Sequence, residues 1–551
     1  MREEFLNTWT DRDVEGNWKY FKENILDIVK ENVPTRTIKG NADLPWFTRK
    51  IKKLLNKRKR RYKRAKSTNA ENDWELYKDT QRELKLEIKV AHDAYLENIF
   101  DTKENQIRNK RLWAYIKSLK RDKTGISALR HNGELFTTDI GKAKVLSDHF
   151  KNVFTEENSN IPVVDEQMKL PPMDSMTIDT KGVEILLKDL NVSKALGPDL
   201  IPTSILKEHA DIIAHIITVI FRQSIETSSP VEDWLIANVL ALYKNKGNRL
   251  DACSYRPISL TCIICKVLEH IILSNIMKHY DEYQILNKNQ HGFQKGHSYE
   301  TQLINTIDDL AKALDSKETI HCLILDFAKA FDTVPHKRLI KILYQNGITE
   351  NIVCWIKKWL TKRTQSVIID DVQSEVEPVI SGVPQGTVLG PLLFLSYINN
   401  ISDGISSSMK LFADDCLLFR KIRNQDDSDK LQEDLDQISQ WCEKWQMSLN
   451  INKCKLLEIK SKLEENHNVY VINGEIVEKV KHHPYLGVEL TNKLKWEQHV
   501  NNISAKVTKT LNLLRRNLYK YTEKMKKEAY TYHLSSTYSR IRIFKLGSVY
   551  N

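Results

Sequence analysis

The stretch Met409-Lys-Leu-Phe-Ala-Asp-Asp-Cys-Leu-Leu-Phe419 sets two adjacent carboxylates, Asp414 and Asp415, between two short apolar runs. Apolar runs broken by a polar pair predict two strands joined by a tight turn. The pair itself has two readings. Asp-Asp is ordinary turn chemistry. It is equally the tip of a hairpin that pushes carboxylates out of a buried sheet to hold a metal. A further carboxylate in a similar setting separates the two.

Thr319-Ile-His-Cys-Leu-Ile-Leu-Asp326 supplies one. It reads as an apolar strand that ends on a carboxylate, which is costly in a buried setting unless paired or metal-bound. Asp326, Asp414 and Asp415 together offer the hard oxygen ligands that Mg²⁺ prefers. Two such ions about 4 Å apart activate a hydroxyl and stabilise a leaving pyrophosphate in line. Between the carboxylates lies Val379-Ile-Ser-Gly-Val-Pro-Gln-Gly-Thr-Val-Leu-Gly-Pro391, a turn entering a helix. It is no phosphate loop, because no Gly-Lys-Ser/Thr follows. Gly382 and Gly386 allow close backbone approach, and Gln385 offers an amide.

The chain has 551 residues, enough for several domains and a sizeable core. The formal net charge of +12 suits a polyanionic partner, nucleic acid before membrane surface. That charge is local. Arg49 to Lys66 holds twelve basic residues and no acid, as many as the whole net charge. Arg58, Lys59, Arg60, Arg61, Lys63 and Arg64 form its centre. They read as a solvated helix face or a nuclear-localisation-like run, and equally as an arm that tracks a nucleic-acid backbone with strong salt dependence. The eight cysteines are scattered, several in apolar runs, as in a reducing compartment rather than a disulfide scaffold. Cys262-x-x-Cys265, with no second pair, reads as core. No apolar run of about 18 residues predicts a membrane span, and the N-terminus has no signal-peptide core.

In chain order, residues 1–125 are helix-rich by pattern, with an amphipathic helix over Trp74–Phe100 and a short one over Arg111–Leu119. Asn132-Gly133 predicts a hairpin. Lys142–Phe154 is a helix, and the Pro-containing Glu157–Thr180 a linker or mobile loop. A helix over Lys181–Leu190 and a Gly197-Pro-Asp199 turn lead to a strand at Ala237–Tyr243. Helices follow over Thr261–His279, Tyr299–Leu314, Lys337–Gln345 and Leu392–Ile401. Val500–Leu518 and Glu523–His533 are the last two.

Four ordered stretches carry a resemblance: Asp326-x-x-x-Ala-Phe-Asp332, Ser381-Gly-Val-Pro-Gln-Gly386, Phe412-Ala-Asp-Asp415 and Tyr485-Leu-Gly-Val-Glu489. In this order they resemble reverse transcriptases, closely those of non-LTR (LINE-type) retrotransposons of the jockey and CR1 kind. Lys194-Ala-Leu-Gly-Pro-Asp199 and Tyr255-Arg-Pro-Ile-Ser259 resemble additional finger motifs of that group. The resemblance covers roughly Arg111 to the C-terminus. It implies an α+β right-hand polymerase with fingers, an antiparallel palm sheet and a thumb, preceded by a helical N-terminal extension. The implied division is a basic helical extension over 1–125, a finger extension over 126–230, fingers and palm over 231–490, and a partial thumb over 491–551.

By the same resemblance, Asp326, Asp414 and Asp415 hold two Mg²⁺ ions, or Mn²⁺ in their place. Phe331 is the aromatic gate under the sugar, with Phe327 beside it at the nucleotide. Gln385 and Gly386 touch nucleotide and template. Arg256 and Lys266 are finger cations for the triphosphate, and Lys453 is a proton donor to pyrophosphate or a plain surface lysine. Gln294, His297 and Cys454 depart from the family's pattern. The implied function is RNA-directed DNA synthesis from a primer 3′-hydroxyl, with RNA template, DNA primer and dNTPs as partners and no membrane. The expected setting is intracellular, a ribonucleoprotein of nucleus or cytoplasm. Nothing in the sequence resembles the family's endonuclease, so cleavage is expected from a missing segment or another protein, and the thumb is expected to be cut short. Two rivals remain: a non-catalytic nucleic-acid-binding remnant, and an RNA-dependent RNA polymerase, which Phe331 disfavours.

Overall fold

The computed structural model describes residues 2–34, 44–100, 111, 113–115, 125–162, 170–460 and 468–518, with 523, 526, 527 and 530. The helices expected at Arg111–Leu119 and Glu523–His533 fall largely outside them. The chain forms two compact units. The larger contains residues 1–33 and 125–499, the smaller 34–124 and 500–551. The first 33 residues therefore pack with the larger unit: Trp18 is buried edge-on against Trp234 at 5.4 Å.

In chain order the larger unit has a hairpin of β1 (Leu129–His131) and β2 (Glu134–Phe136). Its Asn132 and Gly133 take φ of 49° and 84°, the left-handed conformations that an Asn-Gly turn supplies at low cost. Next come β3 (Ile236–Tyr243), β4 (Tyr255–Leu260), β5 (Thr319–Asp326), β6 (Thr364–Ile369), β7 (Val372–Gln373) and β8 (Glu377–Pro378). The remaining strands used below are β9 (Ser408–Phe412), β10 (Asp415–Ile422), β11 (Lys455–Ile459), β12 (Val471–Ile472), β13 (Glu475–Ile476) and β14 (Glu478–Val480). The architecture is mixed α+β.

Two five-stranded sheets matter. One has the order β4-β3-β6-β7, with β8 also on β6. The other has the order β14-β11-β5-β10-β9. The expectation of an antiparallel sheet is corrected at one edge, where β11 and β14 run parallel. The other pairings of that sheet are antiparallel. Strand β5 is its centre, with Ile320 to Leu325 all buried. Helices Tyr299–Asp315 and Gln425–Trp445 pack on this sheet. The first starts at a Ser298/Thr301 capping box and the second at an Asn424 cap, so each start is fixed locally. The main core joins Leu323, Leu325, Cys416 and Leu418 of the sheet to Trp355, Trp359, Phe394 and Tyr397 of the surrounding helices.

The linker expected at Glu157–Thr180 is strapped down where it is described. Glu157 accepts from the backbone amides of Lys337 and Arg338, and from Arg338 Nη1 at 3.1 Å. Arg338, 1% exposed, also donates to Asn158 Oδ1 and the Asn160 carbonyl. A buried guanidinium needs such partners, and polar sequence alone does not reveal that it will take them from this stretch. Residues 163–169 lie outside the described ones.

In the smaller unit, helices Arg49–Thr68 and Glu71–Phe100 form a hairpin turned by Asn69 in the left-handed region at φ 51°. Ile51, Leu54 and Leu84 are its buried seam. Leu514 and Leu518 of helix Glu497–Leu518 cluster with Leu96, Ile99 and Tyr115. Among the described residues no helix is long and apolar enough to cross a membrane.

Candidate active site

Strand register places the carboxylates. Asp415, the first residue of β10, pairs directly with Asp326, the last of β5. Directly opposed residues project to the same face, with Cβ atoms about 5 Å apart. Asp414 sits in the turn between β9 and β10, after Ala413 at φ 53°. The hairpin expected around Asp414-Asp415 is present, and its two carboxylates join Asp326 at one end of the sheet.

The electrostatics follow from crowding like charges there. Desolvation, then the charges of Asp414 and Asp326, pushes the Asp415 carboxyl up to about 6, while Lys453 opposes the shift. Asp414 is also raised, by burial first and by Asp326, against Arg256 and Lys453. Lys453 donates to Asp326 Oδ2 at 2.8 Å. Among the described residues no group of three or more His, Cys, Asp or Glu is already drawn together as a metal cage. The donor set is chemically suited to a divalent cation: three hard oxygen donors, two of them with the ionised form disfavoured by burial first and then by neighbouring carboxylates.

Beside the carboxylates opens a cleft of about 500 Å³. Asp326, Asp414, Lys453, Phe327, Phe331, Gln385, Gly386 and Arg256, all singled out from sequence, line it. Lys266 does not. It lies on helix Ile263–Glu282, half-buried, with its ammonium pKa lowered by burial and nearby Glu269 and Lys194 as its charged neighbours. Sequence reasoning missed two cations that do line the cleft, Lys244 and Lys329. Burial and the charges of Lys329 and Arg256 bring the Lys244 ammonium down to about 8. Lys329 stands at φ 52° in the turn after β5, inside the Asp326-to-Asp332 motif. That position was the available signal.

The aromatic floor is built by packing. Phe331 stacks on Phe394 at 4.4 Å and meets Phe293 edge-on at 6.1 Å. Phe293 is 57% exposed and joins Phe327 and Phe331 as a third aromatic on the cleft. Gln385 reaches the cleft, but its amide donates to Asp332 Oδ1 at 3.0 Å. Burial raises the Asp332 pKa, and this hydrogen bond works against the shift. Gly386 takes φ 109°, and a Cβ there would stand 2.7 Å from the Ser259 carbonyl. No larger residue fits that approach. Cys262 and Cys265 are buried thiols facing Asp199 and Glu269, which is the core role.

The basic helix belongs to the smaller unit. Arg61 is tied to the Leu76 carbonyl and Thr80, and Arg64 pairs with Asp73 at 3.1 Å. Lys59, Arg60 and Lys63 are exposed, and Arg58 half-buried.

Residues 243–490 match the family described as Reverse transcriptase (RNA-dependent DNA polymerase). The chain is 27% identical over 430 residues to the RNA-directed DNA polymerase from mobile element jockey of Drosophila melanogaster, covering 75% of this chain and 46% of that protein. It is 27% identical over 522 residues to the probable RNA-directed DNA polymerase from transposon X-element of the same species, covering 90% of this chain and 56% of that protein. A retrovirus-related Pol polyprotein from type-1 retrotransposable element R2 of Bradysia coprophila is 23% identical over 394 residues, 68% of this chain and 43% of its own length. The chain spans about half the length of the curated relatives it matches.

Proposed function

We propose that this chain, whose residues 243–490 match the reverse transcriptase family and which is similar to RNA-directed DNA polymerases of mobile elements, extends a primer 3′-hydroxyl with deoxynucleotides on an RNA template. The observation that carries the reading is the register pairing of Asp415 with Asp326 beside a cleft whose facing residues include Arg256, Lys244 and Lys329. Carboxylates and cations that line one cleft suit a metal-bound triphosphate.

Two Mg²⁺ ions, or Mn²⁺, held by Asp326, Asp414 and Asp415 would supply Lewis-acid activation of the 3′-hydroxyl and charge neutralisation at the leaving pyrophosphate. Arg256, Lys244 and Lys329 neutralise the triphosphate. Lys453, already hydrogen-bonded at Asp326, holds a proton near the position where pyrophosphate leaves. Phe331, braced by Phe394, leaves no room for a 2′-hydroxyl. Gln385, braced by Asp332, and Gly386 shape the floor for nucleotide and template. Phe327 lines the same floor. In this reading β5, β9, β10 and β11 are the palm, β3 and β4 part of the fingers, and helix Glu497–Leu518 the thumb. The exposed Lys59, Arg60 and Lys63 track a nucleic-acid backbone. The setting is a ribonucleoprotein inside the cell.

The test is primer extension on an RNA template with Mg²⁺, offering dNTPs or rNTPs. Incorporation of dNTPs that disappears in Asp414→Asn/Asp415→Asn is expected. No incorporation above that control sinks the reading, and preference for rNTPs would make the enzyme an RNA-dependent RNA polymerase.

A further inference from the structure

The turn that presents Asp414 and Asp415 is held from a distant loop. Ala413 adopts φ 53°, a left-handed conformation that a residue with a Cβ rarely takes. Something must hold it there. Gln290, 3% exposed and 123 positions earlier, does so with both ends of its amide. Its Oε1 accepts from the Ala413 amide at 2.8 Å and from the Gly292 amide at 2.8 Å. Its Nε2 donates to the Ala413 carbonyl at 3.3 Å. Backbone pairing seats the loop beside β9: the His291 amide donates to the Leu411 carbonyl and the Leu411 amide to the Asn289 carbonyl, both at 2.9 Å. Gly292 passes so close that a Cβ would stand 2.3 Å from the Ala413 nitrogen.

We infer that Gln290 is the positioning residue of the carboxylate turn: by bracketing the Ala413 peptide groups it fixes Ala413 in its left-handed conformation, and thereby the direction in which Asp414 and Asp415 leave the hairpin. The physical reason is the end of the ladder. Beyond Phe412 and Asp415 the strands no longer pair, so the Ala413 amide and carbonyl have no strand partner. Buried peptide groups must be satisfied. Gln290 carries a donor and an acceptor on one rigid amide and satisfies both. Gln290 touches no reacting atom and acts only through the backbone.

The inference rests on the polymerase reading for its catalytic half, and two measurements separate the two. The first is deuterium exchange of the segment 409–416 in chelator-treated protein, comparing the unsubstituted chain with Gln290→Met and Gln290→Glu. Glutamate keeps the acceptor for both amides, whereas methionine keeps only the shape. The expected result is fast uptake at Ala413 in Gln290→Met and retained protection in Gln290→Glu. Equal uptake in the folded Gln290→Met and the unsubstituted chain would overturn the clamp.

The second is primer extension. In Gln290→Met, kcat falls ~10²-fold, the scale of an ångström-sized misplacement. The KM for dNTP and the affinity for template-primer stay within about twofold, because the loss is confined to the transition state. Asn287→Ala removes side-chain hydrogen bonds to Ser402 and the Asn289 amide in the same loop without touching the turn, and keeps its kcat. Equal losses of kcat in the two variants would reduce Gln290 to general stability. Absence of extension by the unsubstituted chain would overturn the polymerase reading itself, with the exchange difference still standing.

Discussion

At the residue scale, Asp415 and Asp326 are one register pair, and burial and the neighbouring carboxylates push the Asp415 carboxyl up to about 6. Asp414→Asn/Asp415→Asn is expected to lower primer extension by at least ~10²-fold, since metal-based charge stabilisation is worth several kcal/mol. The same variant should fold and bind template-primer, which filter binding and circular dichroism check. Phe331 makes a finer prediction. Phe331→Ala removes the ring held on Phe394 and should relax discrimination against rNTPs by ~10-fold or more, the scale of pocket-based selection. Competition between dNTP and rNTP in single-nucleotide extension reads this directly, and unchanged selectivity would remove Phe331 from the gate. Asp326, Asp414 and Asp415 stand at the strand ends and turn that alternation and turn chemistry predicted, whereas Phe331 was singled out by the family resemblance alone. Of the two finger cations the resemblance named, Arg256 lines the cleft and Lys266 does not.

At the element scale, β5 carries Asp326 at its end and His321 in its middle. His321 is fully buried, with Nδ1 2.7 Å from the Tyr470 hydroxyl. Burial brings its pKa down to about 4, helped by Lys479 and Lys460 and opposed by Glu458. A histidine neutral in the fold and protonated when unfolded stabilises the fold above the ordinary pKa of about 6.5. That stability is lost as pH falls from about 6.5 towards 4, by up to roughly 3 kcal/mol. Urea denaturation of the chain and of His321→Gln across this range should give a difference that shrinks with falling pH. A parallel pair of curves would refute it. Helix Leu389–Ile398 gives another case. It lacks a side-chain cap of its own, and the buried Glu269 accepts from the Val388 and Leu389 amides instead. Glu269→Ala should cost ~2 kcal/mol or more, because two buried amides lose their acceptor. Chemical denaturation measures it. The helices predicted within the described residues form with ends a few residues off, whereas Ala210–Glu226, Glu350–Thr361 and Gln425–Trp445 were not among them. Long-range caps were not legible, because Glu269 looks like any helical glutamate until the fold brings Val388 to it.

At the scale of the whole molecule, the chain's excess charge is concentrated in one helix of the smaller unit. Replacing Lys59, Arg60 and Lys63 together with Gln should reduce the slope of log affinity against log salt by about 2 to 3 for nucleic acid, near one per phosphate contact. Fluorescence anisotropy over a salt series tests this, and an unchanged slope would make the helix a solvated face. The sequence by itself determined the strands that end on Asp326 and Asp415, the turn between them, the order of the motifs and the place of the charge. Those are local properties, written in alternation, turn chemistry and residue type. Only the tertiary structure decided what faces what. It brought Lys244 and Lys329 to the cleft, strapped residues 157–160 with Arg338 and set Gln290 against Ala413. The reason is physical: a buried peptide or charge must find a partner, but many polar residues can serve, and only the packed chain selects which one is within reach.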